Sequence, residues 1–492
     1  MTSSQGTRRA QQLLEGTIGV FLAEALLVPT GLLIAAFLTR RLGPSGYGLF
    51  ALAATLVAWV EWALASAFAR ATIRFVGSVV DWRPVGATVV RLYLVASTGA
   101  MILFWCLASP VATLLNEDVL ATYLRLFALD IPIYGLAQAH RQILVGVGRY
   151  KQRALVTAGR WLGRLLLIVL LVELGLSVPG AILGSIGASL VELVIARFYV
   201  RPPLRHRDAL PVRQLWSYAA PLLLWALTIR LYDRLDLLAL KGLAGTAADA
   251  GIYAAAQNVA LALGLFSVAF APLLLSTLSR TLRDGSLSQA KAIARNAMRV
   301  VIALTPVAAM IAGAAREISL LAFGAEFLPA APLIGPLVVG ALALTMMYVA
   351  TSILTAAGKP RWTFAFVGPL VPLALVGHLL LIPRLGALGA ALVTALFASL
   401  SALAEVVAIY RVWRILPPPA TVWRSTLLCG VAYALAALWP TPGLLLFIKL
   451  PVIVGVTLFA FALLGEFNSS EMAAVRSILR RRTLRPEEPH GV

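Results

Sequence analysis

The sequence is poor in cysteine and histidine. Its 492 residues include two cysteines, Cys106 and Cys429, which lie in separate apolar runs. This usage excludes a disulfide framework and a cysteine-based metal site. Histidine occurs four times, and no Cys/His spacing, Walker loop or nucleophile elbow is present. The sequence therefore predicts no metal, no cofactor and no enzyme active site.

Charge is also scarce. Charged residues make up 13% of the chain, against about 25% in soluble proteins. Hydrophobic residues make up 60%, and the mean hydropathy is +0.90. These values exclude a soluble globular protein. They predict an all-α polytopic membrane protein.

Apolar runs of about 20 residues, the length that crosses a bilayer, can be placed fourteen times in the sequence. Glycine and proline mark several of the breaks between them, as at Gly43-Pro44 and Lys359-Pro360. The predicted spans are 15–38, 47–68, 85–109, 120–145, 154–173, 180–200, 217–240, 250–276, 297–321, 331–356, 362–383, 387–410, 421–439 and 443–465.

Basic residues outnumber acidic ones, 41 to 21, which gives a formal net charge of +20. No charged soluble domain carries this charge as a nucleic-acid-binding patch, so we expect no nucleic-acid partner. Most basic residues fall in alternate connections between spans. Arg160 and Arg164 are assigned to the connection that follows the fourth span. The positive-inside rule places these connections and both termini in the cytoplasm. We therefore expect a multi-pass protein of the cytoplasmic (inner) membrane.

Three short matches recur in the same order, about 200 to 210 residues apart. They are Gly48-Leu49-Phe50 with Gly251-Ile252-Tyr253, Ile143-Leu144 and Gly148 with Ile353-Leu354 and Gly358, and Gly180-Ala181 with Gly389-Ala390. Six spans separate the copies, so both run in the same direction, as in transporters with parallel repeats and a site between the halves. The predicted units are an N-terminal six-helix half at 1–200, a C-terminal half at 201–415, two additional spans at 416–466 and a basic tail at 467–492.

The stretch from Thr228 to Lys241 places charges inside an apolar run at the start of the second repeat. On a helix, Arg230, Asp233 and Arg234 share one face, with Asp236 at its edge. A charge at the centre of a spanning helix costs about 2.5–3.5 kcal/mol, so these side chains should face a protein interior or a wet cavity. Two interpretations remain. The stretch is either a self-neutralised structural cluster or a site for an ionic substrate at mid-membrane depth.

Carboxyl groups lie inside other apolar runs as well. Glu24 and Glu61 belong to the first two spans, beside the predicted interface between the halves. They either couple transport to an ion or pair with nearby arginines. Glu192 and Glu405 lie in the sixth and twelfth spans, where a structural role is expected.

The segment from Arg40 to Phe50 reads RRLGPSGYGLF. It resembles the motif after the first span of the polysaccharide-transport flippases, the oligosaccharide–lipid flippases of the multidrug/oligosaccharidyl-lipid/polysaccharide exporter superfamily. The usual form, Arg-x-Leu-Gly-Pro-x-x-Tyr-Gly, is matched at Arg40, Leu42, Gly43, Pro44, Tyr47 and Gly48. A companion pattern in the second half is matched at Asp236, Gly251, Tyr253 and Ala256.

This resemblance implies a transporter, not an enzyme, that moves an oligosaccharide linked to a polyprenyl diphosphate across the membrane by alternating access. The cargo would be used to build a cell-surface polysaccharide, such as lipopolysaccharide or exopolysaccharide. The implied partners are membrane lipids and, from the same pathway, glycosyltransferases and a polymerase, and we expect a monomer. Arginines suit the diphosphate because a guanidinium forks onto phosphate oxygens. The expected substrate-binding residues are Arg230, Arg234, Asp233 and Asp236 in the cavity, and Arg70, Arg74 and Arg141 near its inner mouth.

A multidrug or cation antiporter of the same superfamily is the alternative. Such antiporters usually have twelve spans, and a site for organic cations would favour carboxylates without arginines. A membrane polymerase or ligase would need a long outward catalytic loop, which this sequence lacks. A non-transporting scaffold of the same fold would have no use for charges inside the membrane.

The predicted orientation can be tested with reporter fusions. Fusions at Ala247 and Thr441 should report an outward location, and fusions at Arg207 and Ser286 should report a cytoplasmic one. The basic connections alternate through all fourteen spans, so a missing span would reverse every later fusion. A reversed pair would therefore contradict the span assignment.

Overall fold

The computed structural model describes residues 19–20, 22–203, 235–243 and 245–467. These residues are almost entirely helical, with a π-helical turn at Val172–Leu176 and 3₁₀ turns at Ala325–Ala330 and Gly443–Leu445. The α-helices are α1 Leu27–Gly77, α2 Arg83–Leu114, α3 Asp118–Ala128, α4 Asp130–Gly146, α5 Tyr150–Leu171, α6 Ser177–Tyr199, α7 Leu235–Leu243, α8 Ala247–Arg283, α9 Leu287–Ala303, α10 Thr305–Gly313, α11 Ala315–Phe323, α12 Ala331–Ala356, α13 Pro360–Val367, α14 Leu370–Trp413, α15 Pro419–Leu438 and α16 Leu446–Leu463.

Nine helical segments of the described chain are long and apolar enough to cross a membrane. Three of them, with 44 to 56 residues, are too long for a single crossing, because about 20 residues span the hydrocarbon core. Each of the three breaks at a glycine with positive φ: Gly43 (+67°), Gly175 (+88°) and Gly386 (+56°). With two crossings in each of these segments, and with α7 and α8 added, the all-α fold with about fourteen spans is confirmed.

The predicted internal repeat appears in the turns. Gly148 after the fourth span and Gly358 after the tenth have φ of +80° and +73°. Gly175 and Gly386 occupy equivalent turns after the fifth and eleventh spans. Glycine adopts positive φ without the steric penalty that a Cβ atom adds, so both halves use the same residue to end the same span. The exact limits of the halves stay a prediction.

The two halves meet where α1 packs against α8. A Cβ atom on Gly48 would lie 1.8 Å from the carbonyl oxygen of Ala247, and one on Gly251 would lie 2.0 Å from that of Pro44. Hydrogen alone fits at both positions. Gly48 and Gly251 are equivalent in the repeat, so the repeated motif is itself the contact between the halves.

We call the end of the bundle that carries Gly43 and Pro44 the motif end. There, the ammonium of Lys241 lies 3.2 Å from the carboxylate of Glu117 in the other half. The guanidinium of Arg40 donates to the carbonyl oxygen of Leu321, again across the halves. These contacts hold the halves together at the motif end.

The two additional spans, α15 and α16, are fastened to the second half at both ends. Near the motif end, Lys449 of α16 lies 2.5 Å from Glu317 of α11. At the opposite end, Glu466 lies 2.7 Å from Arg299 of α9 and 2.8 Å from Arg424 of α15. The Lys449 and Glu466 side chains are buried, so removing one partner of either pair would leave the other charge buried alone. The hairpin of α15 and α16 is therefore built onto the second half.

Glu466 follows α16 and lies outside the spans. Burial raises the pKa of its carboxyl, but hydrogen bonds from Thr421, Arg424 and Arg299 outweigh burial and leave the pKa below its ordinary value. A carboxyl with a depressed pKa stabilises the fold above its unfolded pKa, and this stabilisation is lost as the pH falls through the folded pKa. This attachment of the hairpin therefore weakens in acid.

The contact at Gly48 predicts a selective effect of one methyl group. Gly48→Ala should lower stability by about 1–3 kcal/mol, the usual penalty for overpacking, because α1 and α8 cannot both keep their positions. Gly99→Ala is the matched control, since a Cβ atom there meets no atom within 4 Å. Thermal unfolding of the purified variants measures the difference, and equal midpoints would contradict the close packing of the halves.

Candidate functional site

A cavity of 390 Å³ lies between the halves. Its walls come from α1, α4 and α5 of the first half and from α7 and α8 of the second. The amide of Asn258 donates to the hydroxyl of Tyr47 at 2.7 Å, which links the halves across the wall. Other polar groups on the wall are Thr55, Trp59, Glu61, Trp62, Tyr134 and Arg164. The first half thus supplies most of the polar groups and both charged ones.

Glu61 lines the cavity from α1 and lies against Asp130 of α4. The two carboxyl groups interact directly, and the residues are 8% and 2% exposed. Two carboxylates in contact repel each other, so such a pair is stable when it shares one proton.

Behind the cavity wall, Glu192 of α6 lies between two arginines. Its carboxylate is 3.2 Å from Arg141 of α4 and 3.0 Å from Arg160 of α5. The Arg160 guanidinium also lies 4.4 Å from the ring centroid of Tyr134, close enough for a cation–π interaction. Loss of one member of a buried pair costs about 3–5 kcal/mol, because the other charge stays buried alone. This cluster therefore fixes α4, α5 and α6 relative to one another.

Arg164 lies one turn after Arg160 on α5 and reaches the cavity. It has no salt-bridge or hydrogen-bond partner among the residues that the structure describes, and its Nε is buried without an acceptor. The carboxyl groups of Glu61 and Asp130 act on Arg164 electrostatically without a direct bond to it. Its guanidinium on the cavity wall can therefore take an anion as a direct ligand.

Glu24, the other predicted ion-coupling residue, lies apart from this cavity. Its carboxylate is 3.1 Å from Arg153 of α5, with 42% of the Glu24 side chain and 24% of the Arg153 side chain exposed. A pair this accessible to solvent contributes about 0–1 kcal/mol. The structure thus separates Glu24, in a partly exposed ion pair, from Glu61, on the cavity wall.

The predicted substrate-binding arginines fall in three places. Arg70 and Arg74 are exposed on the last turns of α1, at the end opposite the motif end. Arg141 belongs to the buried cluster around Glu192. Arg230 and Arg234, with Asp233, lie outside the described residues, so their roles stay predictions.

Asp236 is a buried carboxylate with several hydrogen bonds. It accepts from the Tyr253 hydroxyl at 2.6 Å, the Gln257 amide at 2.9 Å and the Thr394 hydroxyl at 3.1 Å. The backbone N–H of Leu237 donates to it as well. These bonds connect α7 to α8 and α14, so Asp236 organises the second half. Its predicted contact with substrate stays untested.

The sequence argument missed Arg160 and Arg164. It counted both among the basic residues of a cytoplasmic connection, whereas the structure places them inside α5, facing the cluster and the cavity. The signal was available, because residues four apart share one helix face and the neighbouring positions are apolar.

Comparison with known proteins identifies relatives of the chain. A family model described as "Polysaccharide biosynthesis protein" matches residues 37–332, more than half of the sequence. No curated protein matches it in sequence.

Solved structures share the fold. The lipid II flippase MurJ, in an inward closed conformation, matches with a TM-score of 0.70 and 13% identity, over 92% of this chain and 98% of MurJ. The MATE transporter VcmN from Vibrio cholerae, in its bent form, matches with a TM-score of 0.58 and 16% identity, over 84% and 98% of the two chains. A MOP superfamily transporter from Pyrococcus furiosus matches with a TM-score of 0.60 and 13% identity, over 86% and 96%. The chain therefore shares its fold with these transporters.

Proposed function

This chain belongs to the polysaccharide biosynthesis protein family, and from that premise we propose that it is a flippase for a lipid-linked oligosaccharide. The cargo is an oligosaccharide on a polyprenyl diphosphate, which moves from the cytoplasmic to the outer leaflet of the cytoplasmic membrane. The proposed orientation has both termini in the cytoplasm, in keeping with the basic connections between spans.

The observation that carries this proposal is Arg164. A guanidinium on a cavity wall within a membrane bundle, without a direct salt bridge or hydrogen bond in the described chain, favours an anionic group over a cationic or neutral one. A diphosphate supplies several oxygens that can accept forked hydrogen bonds. We propose Arg164 as a contact to the diphosphate, together with Arg230 and Arg234 from the opposite half.

The same charge distribution argues against a cation antiporter. The fold is shared by a lipid flippase and by MATE transporters, so the architecture does not distinguish the two functions. The position of Arg164 supports the flippase, because a guanidinium on the cavity wall would repel an organic cation from its surroundings.

Transport requires the halves to move relative to each other. A cavity of 390 Å³ is at the small end of ligand pockets, which range over about 300–1,000 Å³, and an oligosaccharide needs more room. The contacts at Gly48, Gly251 and Lys241 close the motif end. We propose that substrate enters from the opposite end, past Arg70 and Arg74, and that these closing contacts break when the cavity opens outward.

The Arg164→Ala variant should insert into the membrane normally but transport the lipid-linked oligosaccharide poorly. A hydrogen bond to a charged group contributes about 1.5–3 kcal/mol, so transport should fall by about 10- to 100-fold. Arg164→Lys should restore part of it, since an ammonium keeps the charge but loses the fork. The measurement is the accumulation of lipid-linked oligosaccharide in cells, normalised to protein in the membrane.

Arg295→Ala is the control for Arg164→Ala. Arg295 is an exposed arginine of α9 and is not one of the residues that line the cavity. It should transport normally. Unchanged transport by Arg164→Ala would contradict the diphosphate contact, and efflux of a cationic dye by the wild type would favour the antiporter.

For ion coupling we propose Glu61 before Glu24, since Glu61 faces the cavity. Glu61→Gln should keep substrate binding and lose gradient-driven transport, because an amide cannot exchange a proton. Glu24→Gln should retain both, since it alters only a partly exposed ion pair. The two activities are measured in vesicles with and without an imposed proton gradient. Parallel loss of binding and protein amount in Glu61→Gln would show a structural role instead.

A further inference from the structure

Glu192 and Glu405 are buried carboxyl groups in corresponding spans of the two halves. Glu192 lies about two turns before the end of α6, the sixth span, and Glu405 about two turns before the end of α14, the twelfth. Both residues are 0% exposed. Glu192 comes 12 residues after Gly180 and Glu405 comes 16 residues after Gly389, so the two carboxyl groups lie near the same end of their spans but about one turn apart in the repeat.

The surroundings of the two carboxyl groups differ in charge. Glu192 is paired with Arg141 and Arg160. At Glu405, the equivalent of Arg141 is Thr351, which is the same distance from Ile353-Leu354 as Arg141 is from Ile143-Leu144. The Thr351 hydroxyl lies 2.9 Å and 3.2 Å from the two carboxyl oxygens of Glu405. A hydroxyl thus stands in the second half where the first half has a guanidinium.

No helix packed against Glu405 supplies a cation to it within the described chain. α12 carries Thr351 and the phenol Tyr348 but no charged residue. α13 carries the Thr363 hydroxyl, which adjoins the carboxyl, and Arg361, which is exposed. The remaining groups are engaged elsewhere: on α7, Asp236 is hydrogen-bonded to Tyr253 and Gln257 of α8, and Lys241 is paired with Glu117.

An ionised carboxylate in such a place is unstable. Transfer of an isolated carboxylate into a low-dielectric interior costs far more than one hydroxyl hydrogen bond returns, so the group takes up a proton and becomes neutral. A protonated carboxyl can also donate a hydrogen bond to a hydroxyl oxygen, which the ionised form cannot do.

We propose that Glu405 is a proton-binding site of the second half, occupied in this conformation and emptied when α12, α13 and α14 separate during transport. The site is distinct from the carboxyl pair of Glu61 and Asp130, which lies in the first half. The exchange of this proton during transport rests on the proposed flippase function. The binding of the proton by Glu405 is independent of that function.

The occupancy can be read by infrared spectroscopy of the purified protein in phosphatidylethanolamine–phosphatidylglycerol nanodiscs. The carbonyl stretch of a protonated carboxylic acid should be present in the wild type at neutral pH and lose intensity in Glu405→Gln. Glutamine resembles the neutral acid in shape, so this variant should fold. An unchanged carbonyl band would show that Glu405 is ionised and would overturn the proposal.

Two comparisons make the assignment specific. Thr351→Val should shift the frequency of the band without removing it, because the hydroxyl contact is lost while the proton stays. Glu192→Gln, if it folds, should leave the band unchanged, since Glu192 forms salt bridges with Arg141 and Arg160. If the band disappears when sodium is added at constant pH, Glu405 binds a sodium ion, and the assignment as a proton site is overturned.

The second arm tests coupling. Flipping by Glu405→Gln in vesicles should no longer respond to an imposed proton gradient, with protein amount unchanged. Wild-type sensitivity to the gradient in this variant would overturn the exchange step, even if the infrared band identifies Glu405. If the wild type itself moves no lipid-linked oligosaccharide, the proposed function fails, and the infrared result still decides whether Glu405 holds a proton.

Discussion

A charge inside a membrane needs a partner, and this requirement organises the first half of the protein. Glu192 lies between Arg141 and Arg160, and this cluster joins three helices at a depth where water cannot replace a missing partner. Glu466 and Lys449, which are buried as well, fasten the last hairpin at its two ends. The polar groups of the bundle are therefore part of its framework.

The informative residues are the ones that do not meet this requirement. Arg164 reaches the cavity without a direct salt bridge or hydrogen bond in the described chain, and the polar groups that the described residues place against the buried Glu405 are hydroxyls. A group kept in an unfavourable setting indicates a ligand that is present for part of a cycle. For Arg164 the matching ligand is an anion, and for Glu405 it is a proton. A comparison of the halves supports the second case, because Glu192 in the corresponding span of the first half has two arginine partners.

Backbone proximity supplies the second constraint. Gly48 and Gly251 let α1 and α8 approach until a single methyl group would collide with a carbonyl oxygen. Such a contact is either fully made or broken, which fits the proposed movement of the halves. The same two glycines belong to the motif and to the repeat that the sequence shows. A pattern in the sequence therefore marks the contact between the halves in the structure.

The sequence by itself determined the class, the number of spans and the repeat, because hydrophobic length, glycine turns and short matches are local properties of a chain. It also marked Glu61, Glu192 and Glu405 as unusual, since any carboxyl in an apolar run is. Only the tertiary structure decided their surroundings. Arg160 and Arg164 were taken for residues of a basic connection, because charge counting does not show which face of a helix meets a cavity. Whether a buried charge finds a partner depends on residues distant in sequence, so packing alone separates Glu192 from Glu405.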